Sequence, residues 1–209
     1  MRWFYIVIII VIFGHLAHLP EAGEPAVEGI AETIALEAQV PNAITGILLR
    51  NRLYDTLFEV LVFTLAVLGV KHTLSQGEPE DEIVQLHEPT MVILARLGGL
   101  VSALVFLELA VRGHLAPGGG FAAGVAGGTA LCLVTLTSSA HELYEQHRRW
   151  HIAAIEKMIV LFFLCIAGLM FLMPDLTLAI PVMNILIAGK VAIGSWTIVL
   201  LFIRHRGLL

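Results

Sequence analysis

Apolar residues fall into six long runs: Trp3–Leu19, Thr56–Leu74, Met91–Val111, Gly119–Ser138, Ala153–Met173 and Pro181–Ile203. Each approaches the roughly 20 residues that a helix needs to cross a bilayer core. Strands are excluded as the spanning form, because open sheet edges leave backbone groups unpaired in hydrocarbon. The pattern predicts an all-α integral membrane protein with about six transmembrane helices. The first run follows Arg2 and no clean Ala-x-Ala site comes after it, so it reads as a retained span and not as a signal peptide.

Between the first two runs lies a long connection, Pro20 to Asp55. Its first half is acidic, and Ile30, Ile34 and Ala38 give Gly29 to Gln39 a weak amphipathic-helix pattern. Pro41-Asn42 stops that pattern. Ala43 to Leu49 is apolar but too short to span, and Arg50, Asn51, Arg52 and Asp55 end it, which suits a re-entrant or interfacial segment. The polar, acidic stretch Ser75 to Pro89 reads as a boundary between an N-terminal unit, residues 1–87, and a four-helix unit, residues 88–209.

The third and fourth runs are joined by Gly113-His114-Leu115-Ala116-Pro117-Gly118-Gly119-Gly120-Phe121. Pro117 sits well at the first turn of a helix and cannot continue the one before it. Gly118 and Gly119 allow the sharp reversal of a helix hairpin. Gly120, Gly124 and Gly128 then recur on one face, a small-xxx-small ladder that lets a neighbouring helix approach closely in a membrane. Gly118, Gly120 and Ala123 loosely fit a dinucleotide fingerprint, but that motif needs a preceding strand, and here a membrane-length apolar run precedes it.

Composition strengthens the membrane reading. Of 209 residues, 58% are hydrophobic and 14% charged, against about 25% charged in soluble domains. The net charge of -5 resides in hydrophilic loops and implies no nucleic-acid partner. Cys132 and Cys165 stand apart from each other and from any histidine cluster, so neither a disulfide framework nor a metal site is readable. His15/His18 and His147/His151 have helical spacing but lack a third ligand. Ser138-Ser139-Ala140-His141 has nothing to orient a nucleophile. No enzyme activity and no cofactor are expected. Arg2, Arg148-Arg149 and Arg204/Arg206 fall on one side of a six-span model, which the positive-inside rule assigns to the cytoplasm. The hairpin and Asp175 then face the opposite side. Arg50 and Arg52 run against this assignment.

Ionisable residues inside apolar runs cost about 2.5–3.5 kcal/mol or more unless paired or hydrated. Arg96, Glu156 and Lys157 lie close enough to an interface to snorkel. Glu108 has Arg112 one turn away as a local partner. Lys190, about nine residues or roughly 13 Å into its run, needs a carboxylate, carbonyls or water. Glu59 and Glu108 share its half of the bilayer and are its candidate partners. His114 is either a relay group or a hydrogen-bonding cap in the turn. Glu59, Glu108, Lys190, His114 and Asp55 are the candidates for an ion path or proton relay.

The segment Gly113 to Gly124 closely resembles the signature of the MnhB subunit of Mrp-type multisubunit Na+/H+ antiporters, and the resemblance extends from about Glu88 to Arg206. A second resemblance covers about Pro41 to Val70. Asn42-Ala43-Ile44-Thr45-Gly46-Ile47-Leu48 and Tyr54-Asp55-Thr56-Leu57-Phe58-Glu59 look like the C-terminal part of the large antiporter subunit, or a small subunit of membrane-bound hydrogenases. Glu59 matches the suspected ion-path glutamate of that motif. These resemblances imply a multi-pass subunit of the cell membrane, packed against other membrane subunits, among them larger complex-I-like ones, in a complex exchanging Na+ and H+. The alternative they leave open is the same architecture in a redox-driven complex, such as a hydrogenase or a ferredoxin-linked respiratory assembly.

Overall fold

The computed structural model describes residues 29–74, 76–77, 88–173, 176 and 178–206. The run Trp3–Leu19, most of the acidic connection before Pro89, and Asp175 lie outside the described residues. Glu32–Leu209 form one compact unit, and the fold below is that of this unit. All regular structure among the described residues is helical.

Helix α1 (Ile30–Ala38) matches the weak amphipathic pattern and ends at Gln39, whose φ is 53°. The apolar stretch too short to span becomes α2 (Ala43–Gly46), which continues into a π-helical turn, Ile47–Asn51. Its Thr45 and Leu49 are buried. The long apolar runs become α3 (Leu53–Leu74), α4 (Pro89–Arg112), the shorter α5 (Gly120–Leu136), α7 (Ile152–Leu172) and α8 (Ala179–Arg206). Of these, α3, α4, α7 and α8 are each long and apolar enough to cross a membrane. Between α5 and α7 lies the polar helix α6 (Ala140–Arg149). Its start is capped by the Ser139 hydroxyl, which accepts from the Glu142 N–H at 3.4 Å. Glu142 in its first turn and His147, Arg148 and Arg149 in its last complement the helix dipole.

Helix α8 is central: α3, α4, α5, α6 and α7 all pack against it. Over half of its most apolar 18-residue window is buried, against 6% for α4. The largest apolar cluster joins Val60 of α3, Phe163 and Ala167 of α7, and Ile180, Met183, Ile187 and Val191 of α8. The remaining apolar surface of α3, α4 and α7 points outward, through residues such as Val62, Leu97, Leu104 and Phe162. In a bilayer this outer surface faces lipid or other protein.

The packing of α5 on α8 depends on glycine. A β-carbon at Gly120 would lie 2.5 Å from the Asn184 carbonyl oxygen. One at Gly124 would lie 2.8 Å from Val191 Cγ1 and 2.9 Å from the Ala188 carbonyl oxygen, and one at Gly128 would lie 2.8 Å from Ser195 Cβ. Three successive turns of α5 thus touch three successive turns of α8 at backbone range. Gly127, beside this ladder, meets both the Phe106 ring of α4 and, at 3.0 Å from a notional β-carbon, Ala192 Cβ of α8. Gly119, with φ of 95°, makes the reversal into α5.

Candidate functional site

The reversal between α4 and α5 exposes a problem of helix ends. The last carbonyls of a helix have no partner in the next turn, and an unsatisfied carbonyl in hydrocarbon costs several kcal/mol. Here two asparagines distant in sequence supply donors. Asn184 Nδ2, on α8, donates to the carbonyls of Ala110 at 2.7 Å and Leu109 at 3.2 Å. Asn42 Nδ2 donates to Gly113 O and Ala116 O, both at 2.8 Å. The Thr45 hydroxyl also donates to Gly113 O at 2.7 Å, and the Asn42 N–H donates to His114 O at 3.3 Å. The Arg112 carbonyl accepts from the N–H groups of Leu115 and Ala116. Asn42 also caps α2, accepting from the Ile44 N–H at 3.1 Å. The segment around Asn42 and the glycine-rich hairpin are therefore joined by direct hydrogen bonds.

The second feature lies deeper. Lys190 of α8 is 1% exposed at its side chain and forms an ion pair with Glu156 of α7, itself largely buried. Its ammonium also sits 5.0 Å from the centroid of the Phe63 ring on α3, within range of a cation–π attraction. Three helices thus surround one buried charge. The pair lines a cavity of about 660 Å³ bounded by α3, α6, α7 and α8. Towards the α6 end, the cavity wall carries Lys71, His147, Arg148, His151 and Lys157. His147 is hydrogen-bonded to the Thr197 hydroxyl at 3.3 Å and meets Trp196 edge-on. Burial pushes its imidazole below the ordinary range; Glu156 pulls it back up and Lys71 adds to the lowering.

The partner expected for Lys190 is corrected by this arrangement. Glu59 and Glu108 are exposed on the outer faces of α3 and α4, and the lysine reaches neither. Glu108 instead pairs with Arg112 at 2.8 Å, both side chains 57% exposed. Glu156 does not snorkel, although its neighbour Lys157 is exposed. The reason is that α8 extends beyond the start of α7 to pack on α6. Glu156, in the second turn of α7, therefore faces the middle of α8 and not solvent. Asp55 is half-buried and ion-paired with Arg52. His114 is half-buried; its ring Nδ1 is buried and has no hydrogen-bond partner among the described residues. Pro117 and Gly118 are exposed in the turn. The structure does not bring Glu59, Glu108, His114 and Lys190 into one cluster. Among the described residues, no group of three or more His, Cys, Asp or Glu side chains converges as a metal ligand set.

Sequence reasoning passed over Glu156, Asn42, Thr45 and Asn184 as site residues. For Asn184 a signal was present: a primary amide inside an apolar run needs partners as much as a charge does. For Glu156 there was none, because closeness to a run's start reads as closeness to water.

The family described as a domain related to the MnhB subunit of Na+/H+ antiporters matches residues 90–204. No curated protein matches. Among solved structures, a chain in the membrane-bound sulfane sulfur reductase, an archaeal respiratory membrane complex, has a similar fold. Its TM-score is 0.69 at 24% identity, with 97% of this chain and 98% of that chain covered. The family match spans more than half of the sequence and takes in the glycine ladder, Asn184 and both members of the buried ion pair: this multi-pass membrane chain belongs to the family of domains related to the MnhB subunit of Na+/H+ antiporters.

Proposed function

We propose that the chain is a non-catalytic membrane subunit of a multisubunit Na+/H+ antiporter, and that Lys190 and Glu156 form part of its proton or cation route. The observation that carries this is the ion pair itself, buried between three spans and lining a cavity. Intramembrane ionisable pairs of this kind recur in proton relays and ion pathways. Moving a proton between carboxylate and amine needs no rearrangement of the helices. The exposed Glu59 and the Glu108–Arg112 pair suit coverage by other subunits, including the larger complex-I-like ones, because lipid would not solvate them. Residues 41–70 act in this reading as a fused counterpart of the large subunit's C-terminal part, hydrogen-bonded to the hairpin through Asn42.

The test uses the native complex in membrane vesicles. Lys190→Met and Glu156→Gln each leave one buried polar partner alone, and both are expected to cut ion exchange at least tenfold. The double variant restores charge balance and assembly. With a relay role, exchange stays low in the assembled double variant. Full exchange there would assign the pair to packing and end the proposal.

A second reading places the same chain in a redox-driven assembly, which the fold match to a chain of an archaeal respiratory complex favours. Co-purification of iron–sulfur subunits with the chain would select it.

A further inference from the structure

The cavity beside the ion pair has a charge pattern the pair does not use. Its lining is mainly apolar, with Val67, Leu68, Val160, Leu161 and Leu164 among the wall residues. Four cationic side chains line it, Lys71, Arg148, Lys157 and Lys190, against one carboxylate, Glu156. That carboxylate is taken by Lys190, and Arg148 is held by Glu145 at 2.8 Å. Lys71 and Lys157 are left, both exposed and in no ion pair among the described residues. They approach the same membrane edge from opposite chain directions, Lys71 in the last turn of α3 and Lys157 in the second turn of α7. Trp150, 61% exposed at the end of α6, marks that edge as headgroup level, where indole rings accumulate. On the outer side, Leu68 and Leu161 are about half exposed, so the wall between α3 and α7 opens laterally towards acyl chains.

We propose that this cavity binds one anionic phospholipid. Its phosphate is held by Lys71 and Lys157, and one acyl chain lies along Leu68, Leu161 and Leu164. An apolar trough with two unneutralised cations at its mouth matches an amphiphile with a negative head. The edge concerned carries Arg148, Arg149 and Arg204, the side assigned to the cytoplasm, where anionic lipids concentrate and attract basic groups. The bound lipid completes the wall between α3 and α7 and separates the Lys190–Glu156 pair from the bilayer.

The full chain is purified in mild detergent, stripped of lipid, and incubated with phosphatidylglycerol or phosphatidylcholine. Bound lipid is counted by native mass spectrometry. One phosphatidylglycerol per chain is expected, with phosphatidylcholine at least tenfold weaker. Lys71→Gln and Lys157→Gln should each weaken phosphatidylglycerol binding about fivefold, and both together roughly thirtyfold. Both lysines are exposed, so gel filtration should show these variants folded. Leu161→Trp, which fills the lateral opening, should also lower retention while leaving both lysines in place. Equal retention of the two lipids, retention undiminished in the double lysine variant, or displacement of the lipid by millimolar inorganic phosphate would each overturn the proposal.

Discussion

Replacing one glycine by alanine at two sites tests whether close backbone approach holds the bundle together. A β-carbon at Gly124 would sit 2.8 Å from Val191 Cγ1 and 2.9 Å from the Ala188 carbonyl oxygen, where ordinary contact begins at 3.4 Å. Backbone and a β-branched side chain cannot swing away, so α5 and α8 must separate by more than half an ångström. Overpacking of this kind costs about 1–3 kcal/mol, offset by about 0.5–1 kcal/mol from alanine's better helix propensity. Gly168, on the exposed face of α7, has nothing within 4 Å of a notional β-carbon. There the propensity term acts alone, and Gly168→Ala should stabilise by about 0.5–1 kcal/mol. The two variants should therefore differ by about 2 kcal/mol, in opposite directions from the parent. Thermal unfolding of the purified chain in one detergent, followed by tryptophan fluorescence, reads this difference. If Gly124→Ala melts at or above Gly168→Ala, the ladder is not a contact surface and the packing of α5 on α8 described above is wrong.

Further outcomes follow from the same geometry. Asn42→Ala removes the α2 cap and the amide bonds to Gly113 and Ala116, and should destabilise by about 2–4 kcal/mol in chemical unfolding of the detergent-solubilised chain. Asn184→Leu, which keeps the branched shape but strands the Leu109 and Ala110 carbonyls, should cost about 2–4 kcal/mol in the same assay; a neutral result would mean that water satisfies them. For His147, burial lowers the folded-state affinity for a proton below that of the unfolded chain. The unfolded state therefore binds the proton first, so stability should fall as pH drops below about 6.5 and level off once the folded imidazole is protonated. His147→Gln should flatten that part of the melting profile between pH 5 and 7.5, and an unchanged slope would assign the pH dependence elsewhere.

The spans were readable because hydrocarbon demands long apolar helices, and the five runs that fall among the described residues all became helices close to their expected bounds. The short stretch Ala43 to Leu49 was equally readable, since it is apolar yet too brief to cross. The partner of Lys190 was not readable. Depth was counted from the ends of each run, and that count fails when helices are staggered. Because α8 overshoots the start of α7, a glutamate near one run's beginning meets a lysine near another's middle. The asparagine clamps were hidden for a different reason. Their acceptors are backbone carbonyls, which every residue carries, so no residue type in the sequence marks where the bonds will go.

The amide of Asn184 also bears on biosynthesis. Its acceptor at Ala110 lies 74 residues earlier in the chain, so the ribosome releases the tail of α4 well before its donor exists. Until α8 arrives, those two carbonyls must stay with water or with the translocation machinery. The end of α4 accordingly gains these two bonds only after the last span has emerged, whereas the carbonyls of the reversal itself, at Gly113 and Ala116, meet a donor in Asn42 that is made before them.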